Sequence, residues 1–193
     1  MNSYMVSIRP EWVKKIVNGE KIIEVRKSAP KELPFKAYIY CTKDRKNLLP
    51  IERGKVLQKV NFWENTDAYY GFGKVIGEFI CDKVERFSVG SLRSDDIEKL
   101  ACLSYNEMIN YFYKPEELDG KTAKQGFAWH ISDLKIYDKP KELSEFWGRK
   151  TCLAADTVEC WNCFATCLVI NGKHCQPITR PPQSYMFVEE VGE

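Results

Sequence analysis

The sequence predicts an α+β fold, in which a small mixed β-barrel is flanked by a few helices. Short segments in which apolar and polar residues alternate recur along the chain, a pattern typical of strands with one solvated face. A helical pattern stands near the N-terminus, and two helix-start signals stand near the middle. Strands interrupted by few helices are typical of an α+β architecture.

The first predicted elements are a strand at about Tyr4–Ile8, a helix from Pro10 and a strand over Lys21–Lys27. Pro10 suits the first helical position, because the N–H that proline lacks has no intrahelical partner there. Gly19 suits the left-handed residue that follows a helix. These signals predict a strand, a helix and a second strand in close succession.

The second strand carries a row of charged side chains. Ile23 and Val25 point to one side, Glu24 and Arg26 point to the other, and Lys21 enters the strand. A guanidinium offers a planar fork for phosphate or carboxylate, an ammonium offers a mobile point charge, and a carboxylate can accept from a base amino group. Lys21, Glu24 and Arg26 are therefore candidate ligand-binding residues. The alternative is a solvated strand face with weak ion pairs.

After the second strand, the sequence predicts short helices and strands joined by polar loops. Ser94 predicts the start of one helix, and Ser104 with Glu107 predicts a capping box for another. The remaining predicted segments are, in order, the strand Lys36–Thr42, a polar insertion Lys43–Tyr70, and strands within Lys74–Phe87, Phe127–Tyr137 and Tyr185–Glu190.

The late strand Phe127–Tyr137 contains two further candidates, Trp129 and His130, which face opposite sides of a strand. Trp129 shares its side with Phe127 and Ile131, so it is predicted to be a core residue. His130 is predicted to contact the ligand. The alternative is a histidine that makes only a structural hydrogen bond.

Four segments of the chain resemble the ASCH domain of the PUA-like superfamily, in particular its bacterial and phage-type members. They are a helix followed by the pattern G-x-K-x-x-E-x-R over Gly19–Arg26, and the segments Gly73–Phe79, Gly126–Leu134 and Arg180–Tyr185. The resemblance implies a PUA-like barrel in which the charged row borders a cleft beside the first helix. It also implies a binding module for RNA or a modified nucleotide, with a regulatory role.

One ASCH branch implies a rival class, enzymes that hydrolyse N4-acetylcytidine. In that branch the lysine of G-x-K works with a threonine three residues on and a glutamate before a later helix. Lys21 matches, but Glu24 stands at the threonine position and Ala101–Leu103 holds no carboxylate. We therefore expect a binding module rather than an enzyme, with Lys21 as the catalytic residue if the chain is a hydrolase of an acylated nucleoside or of RNA. A phage-type regulatory protein that binds another protein is the third alternative.

Composition sets limits on these functions. The chain has 193 residues, 29% of them charged, with a formal net charge of +2, which is typical of a globular protein. A pI near 8.0 indicates no strong overall electrostatic field, so any contact with a polynucleotide must come from local basic patches. Neither a signal peptide nor a membrane span is visible, which predicts a cytoplasmic protein without membrane contact.

A cysteine-rich segment lies near the C-terminal end, with the pattern C-x7-C-x2-C-x3-C-x7-C. A C-x2-C pair lets two thiolates meet one tetrahedral metal, which predicts a structural zinc. The predicted ligands are Cys152, Cys160, Cys163 and Cys175, with Cys167 and His174 as substitutes. An iron–sulfur cluster and a set of unliganded thiols are the alternatives.

The predicted organisation follows from these segments. Residues 1–147 form the barrel, residues 148–179 form a cysteine-rich zinc module resembling a zinc knuckle, and residues 180–193 return as the last strand of the barrel. The predicted partner is RNA or a modified nucleoside or nucleotide, and a protein partner is the alternative.

Overall fold

A computed structural model describes residues 1–43, 49–57, 69–117, 123–149, 168–170 and 173–189. In these ranges the chain forms mostly strands, together with three α-helices. The helices are α1 (Pro10–Val17), α2 (Leu92–Leu100) and α3 (Tyr105–Phe112). The strands are β1 (Asn2–Ile8), β2 (Ile23–Arg26), β3 (Phe35–Cys41), β4 (Pro50–Glu52), β5 (Lys55–Val56), β6 (Tyr69–Tyr70), β7 (Val75–Cys81), β8 (Val84–Ser88), β9 (Gln125–His130), β10 (Ser132–Lys141), β11 (Trp147–Arg149), β12 (Leu168–Ile170), β13 (Lys173–Pro177) and β14 (Tyr185–Val188).

The α+β class is confirmed, but the predicted small mixed β-barrel is not found as a closed barrel in the part of the chain that the structure describes. The strands there form separate sheets with the orders β10-β7-β3-β1-β14, β2-β9-β8, β11-β13-β12 and β5-β4-β6. The predicted single strand Phe127–Tyr137 is divided at Ile131, and Asp133 has a positive φ of 47°. Because of this break, β9 pairs with β2 and β8 whereas β10 pairs with β7.

The first helix forms where the sequence predicts it. Pro10 is the first helical residue, and Gly19 has the left-handed φ of 74° that a glycine adopts without a steric penalty. Val13 and Ile16 are buried in a core cluster with the inner residues of β1, β3 and β7. The helix thereby covers one face of the five-stranded sheet.

The two later helices differ in how well their starts were predicted. Ser104 and Glu107 form the predicted capping box at α3. The predicted cap of α2 is wrong, because the helix begins one turn earlier, after Ser91. The hydroxyl of Ser94 donates to the carbonyl of Ser91 at 2.6 Å within that first turn.

Strand β2 lies between two core clusters, and this position defines the site. Ile23 and Val25 pack into a cluster formed with β8, β9, α2 and α3. Glu24 and Arg26 point to the other face, yet they are also buried. The charged row is therefore not the solvated strand face that the alternative interpretation predicts.

The C-terminal strand β14 pairs antiparallel with β1, which itself runs parallel to β3. This pairing carries the segment 180–184 past the end of β1, where the amide of Ser7 donates to the carbonyl of Ser184 at 3.1 Å. Two distant parts of the chain therefore meet beside β2. Among the described residues, no helix has the length and apolar character needed to cross a bilayer.

Most of the predicted zinc ligands, Cys152, Cys160, Cys163 and the substitute Cys167, lie outside the described residues. Cys175 is buried on β13, in register with Arg149 of β11. The described ranges contain no group of three or more side chains placed to hold a metal ion. The zinc site stays a prediction.

Candidate functional site

A cleft of about 660 Å³ opens beside β2, between the start of α1, α3 and the segment 180–184. Lys21, Glu24 and Arg26 all line it. Its other walls carry two aromatic side chains, Trp12 and Tyr111, and several polar ones. The volume falls within the range of small-molecule sites, which is roughly 300–1,000 Å³. The three charged residues predicted from the sequence therefore share one concavity.

The three side chains form one connected ion cluster, which we call the buried triad. The Glu24 carboxylate lies between the two cations, with Oε2 at 3.4 Å from Lys21 Nζ and Oε1 at 2.8 Å from Arg26 Nη2. Lys21 is only 2% exposed, and Glu24 and Arg26 are each 6% exposed. Charges so far removed from water are stabilised only where partners compensate for lost hydration.

Backbone carbonyls supply part of that compensation. Lys21 Nζ donates to the carbonyl of Ala101 at 2.9 Å, after the end of α2. Arg26 Nη2 donates to the carbonyl of Ser7 at 2.6 Å, and Nη1 donates to that of Ser184 at 3.4 Å. The triad thus ties β2 to α2, to β1 and to the C-terminal segment.

One donor of the triad is left over. Within the described part of the chain, the buried Nε of Arg26 has no hydrogen-bond partner. A buried donor without a partner costs about 1–3 kcal/mol. A ligand acceptor that reached this N–H would remove that cost.

Burial also changes the acid–base properties of the cleft. Burial lowers the pKa of Lys21, and the neighbouring Glu24 carboxylate opposes this shift. Burial raises the pKa of Tyr111, whose hydroxyl also contacts Arg26. Tyr111 is therefore a neutral hydroxyl at physiological pH, and it can donate to a ligand or accept from one.

Two aromatic rings stand at the edges of the cleft, each with a cation nearby. The ammonium of Lys15 lies 4.9 Å from the ring centroid of Trp12, and that of Lys21 lies 5.7 Å from it. Lys27 lies 5.3 Å from the ring centroid of Tyr111, which is 37% exposed. An exposed ring next to cations is a suitable surface for a stacked base carried on a phosphate backbone.

His130, the fourth predicted ligand contact, is not brought to this cleft. It is in register with Ile23, whereas Glu24 is in register with Trp129, so the histidine lies on the opposite face of the sheet. Its Nε2 lies 2.9 Å from Oε1 of Glu85. Trp129 occupies the core, fully buried, as predicted.

The cleft can be compared with the residue set of the N4-acetylcytidine hydrolases, which includes a glutamate. Glu107 lines it, but its carboxylate accepts from the backbone N–H of Ser104 at 2.8 Å and from the hydroxyl at 2.7 Å. These bonds lower its pKa. Glu98, which precedes Ala101–Leu103 in the sequence, does not line the cleft.

Sequence reasoning missed several lining residues. Asn110 and Tyr111 lie on α3, and no sequence pattern indicated that they would line this cleft. Ser7 and Thr42 lie at the ends of β1 and β3. Gln183 was signalled only by the segment Arg180–Tyr185, which resembles an ASCH ending. Their convergence depends on long-range packing.

Comparison with known proteins supports the fold. No protein-family model matches the chain, and no curated protein matches it. A crystal structure of ASCH from Zymomonas mobilis is similar, with a TM-score of 0.52 and 19% identity, over 96% of this chain and 87% of that one. A tyrosine-to-phenylalanine mutant of the same protein gives 0.51 and 18%, over 97% and 90%. A serine-to-alanine mutant gives 0.51 and 19%, over 96% and 87%. The mixed α+β chain therefore has an ASCH-type fold.

Proposed function

We propose that this protein binds RNA or a modified nucleotide, and that the cleft beside β2 receives one unpaired nucleotide. The observation that carries the proposal is the buried triad: Lys21, Glu24 and Arg26 are in contact, nearly inaccessible to water, and all line one cleft. Buried ion clusters contribute little net stability compared with apolar packing. Perturbed ionisable groups in a cleft are typical of functional sites.

The available groups suit a nucleotide. Among the described residues the Nε–H of Arg26 has no partner, so it can donate to a carbonyl or phosphate oxygen of a ligand that reaches it. Each oxygen of Glu24 holds one cation and keeps a second lone pair, which can accept from a base amino group. The partly exposed ring of Tyr111 offers a stacking surface.

The test is a native mass spectrometry screen of unmodified and modified nucleosides, their monophosphates and short single-stranded RNAs. We expect at least one class to bind with one copy per chain and with a salt-dependent affinity. Tyr111→Ala should weaken binding about tenfold, since base stacking contributes about 1–3 kcal/mol. Tyr105→Ala is the matched control, because Tyr105 is an exposed tyrosine on the same helix that does not line the cleft. Absence of binding by every class would refute the proposal.

A second candidate function is hydrolysis of an acylated nucleoside such as N4-acetylcytidine. The lowered pKa of Lys21 favours it, because an unprotonated amine can act as a base or nucleophile. Glu24 at 3.4 Å could hold the amine in place. Turnover of N4-acetylcytidine by the wild type, lost in Lys21→Met, would establish this activity; a wild type that binds it without turnover would exclude it.

We also propose that Cys152, Cys160, Cys163 and Cys175 bind a structural zinc. The C-x2-C spacing of Cys160 and Cys163 supports this proposal. Elemental analysis of the purified protein should find about one zinc per chain, as expected of a four-thiolate structural site. Cys160→Ser should lose it, whereas Cys81→Ser should keep it, since Cys81 is buried in the main core. A metal-free wild type would refute the site.

A further inference from the structure

A second groove, of about 750 Å³, lies beside the cleft, where the C-terminal segment passes the ends of β1 and β3. Ser144 and Thr179 contribute exposed hydroxyl groups to its lining, and Lys43 contributes an ammonium. The groove also has one carboxylate among the described lining residues, that of Glu142, which is paired with Lys74 at 2.8 Å. None of these residues was singled out by the sequence.

The groove and the cleft share three lining residues, Ser7, Thr42 and Gln183. Two of these residues are held by hydrogen bonds, Ser7 through its side chain and Thr42 through its backbone. The hydroxyl of Ser7 donates to the carbonyl of Pro182 at 2.6 Å, and the amide of Thr42 donates to the carbonyl of Ile8 at 2.9 Å. The two hollows are therefore adjacent, and polar residues stand between them.

The two parts differ in chemistry. The cleft has aromatic surface, on which an unpaired base can stack, together with the charged groups of the buried triad. The groove has hydroxyl groups, the amide of Gln183 and the ammonium of Lys43. The alkyl chain of Lys43 lies over Gly73, where an added Cβ would come within 2.8 Å of Lys43 Cε. Hydroxyl, amide and ammonium donors are the groups that contact sugar and phosphate.

We propose that the second groove holds the sugar–phosphate backbone of the nucleotide next to the one in the cleft. This inference depends on the proposed function and narrows it: the ligand is a single-stranded RNA segment rather than a free nucleotide. In this proposal the RNA strand passes from the cleft into the groove over Ser7, Thr42 and Gln183.

The test measures affinity against ligand length by isothermal titration calorimetry. The probes are homo-oligoribonucleotides of one, two, four and eight residues for each of the four bases. We expect the longer strands of at least one base to bind at least tenfold more tightly than the mononucleotide. Thr179→Glu and Ser144→Glu, which place a negative charge in the groove, should remove that gain and leave mononucleotide affinity unchanged. Ser88→Glu, at an exposed serine that lines neither hollow, is the control.

Each outcome separates this inference from the proposed function. Equal affinity for mononucleotides and longer strands would overturn the inference and leave the nucleotide site intact. If the gain in affinity with RNA length persists in both glutamate variants, the inference is also overturned, because the RNA strand would then leave the cleft by another route. Binding of no probe of any length would overturn the inference, whereas the proposed function would still be decided by the screen that includes modified nucleosides.

Discussion

Two ion clusters lie on opposite faces of the sheet β2-β9-β8, and each contains one carboxylate between two basic side chains. In the buried triad, Glu24 and its partners are between 2% and 8% exposed at their side chains. On the other face, Glu85 contacts Lys83 and His130, with side-chain exposures of 24%, 60% and 26%. The residue types are alike, and the surroundings differ.

The difference arises from what covers each face. The triad is enclosed by α1, α3 and the segment 180–184, and backbone carbonyls from three parts of the chain accept from its cations. The Glu85 cluster stands at the end of two strands and remains open to solvent. A buried charge interacts more strongly with its partners, and leaving it unpaired costs more free energy. Of the two clusters, only the buried triad can therefore offer strong, specific interactions to a ligand.

The largest expected contrast is in the free energy of unfolding. Glu24→Gln removes the counter-charge of two buried cations and should destabilise the fold by about 3–5 kcal/mol. Glu85→Gln removes a partly exposed partner and should cost less than about 1 kcal/mol. Urea denaturation of both variants measures the difference. Equal losses of unfolding free energy would contradict the difference in burial between the two clusters.

A smaller contrast is expected between two arginines on one row of the sheet. Arg26 and Arg86 are both in register with Phe127. Arg26→Lys keeps the charge but loses the fork that reaches Ser7 and Ser184, so it should cost about 1.5–3 kcal/mol and weaken nucleotide binding. Arg86→Lys, at an exposed site, should change stability by less than about 1 kcal/mol. Thermal and urea unfolding together with nucleotide titrations measure both effects, and a neutral Arg26→Lys would contradict the assigned role.

The smallest effects are those of pH, and the two clusters should respond at opposite ends of the scale. The pKa of Lys21 is lowered in the fold by burial, so the unfolded chain holds this proton more tightly and stability rises as pH increases toward 10.5. The stability of the wild type relative to Lys21→Met should therefore increase between pH 7 and 10. A flat or falling difference would contradict the burial of this amine.

The pKa of Glu85 is lowered by its hydrogen bond with Lys83, and its contribution should be lost as pH falls below 4.5. Because this carboxylate is partly exposed, the loss relative to Glu85→Gln should stay below about 1 kcal/mol. Unfolding free energies between pH 6 and 3 provide the measurement. A loss as large as that of Glu24→Gln would remove the contrast between the clusters.

The local part of this architecture could be predicted from the sequence. Pro10 and Gly19 fix the ends of α1 through backbone preferences, and the capping box at Ser104 is equally local. The convergence of the triad follows from one short segment, Gly19–Arg26, which resembles the ASCH pattern.

The remainder depends on contacts between distant residues. The alternation in β2 indicated that Glu24 and Arg26 would face outward, but it could not show that the C-terminal segment would cover them. The His130 assignment used strand alternation correctly, yet alternation does not say which face carries the cleft. The break at Ile131 separates the sheets, and the apolar positions change there from odd-numbered residues to even-numbered ones, Leu134 and Ile136. The prediction of a single strand overlooked this change.

The most direct measurement is the NMR signal of the Nε–H group of Arg26, assigned with Arg26→Lys and followed while nucleotides are titrated. If the triad receives a ligand, this resonance should shift and exchange more slowly with water at saturation. The Nε–H signal of Arg86 should stay unchanged. An Arg26 resonance that does not respond to any nucleoside, nucleotide or short RNA would show that the triad only holds the fold together.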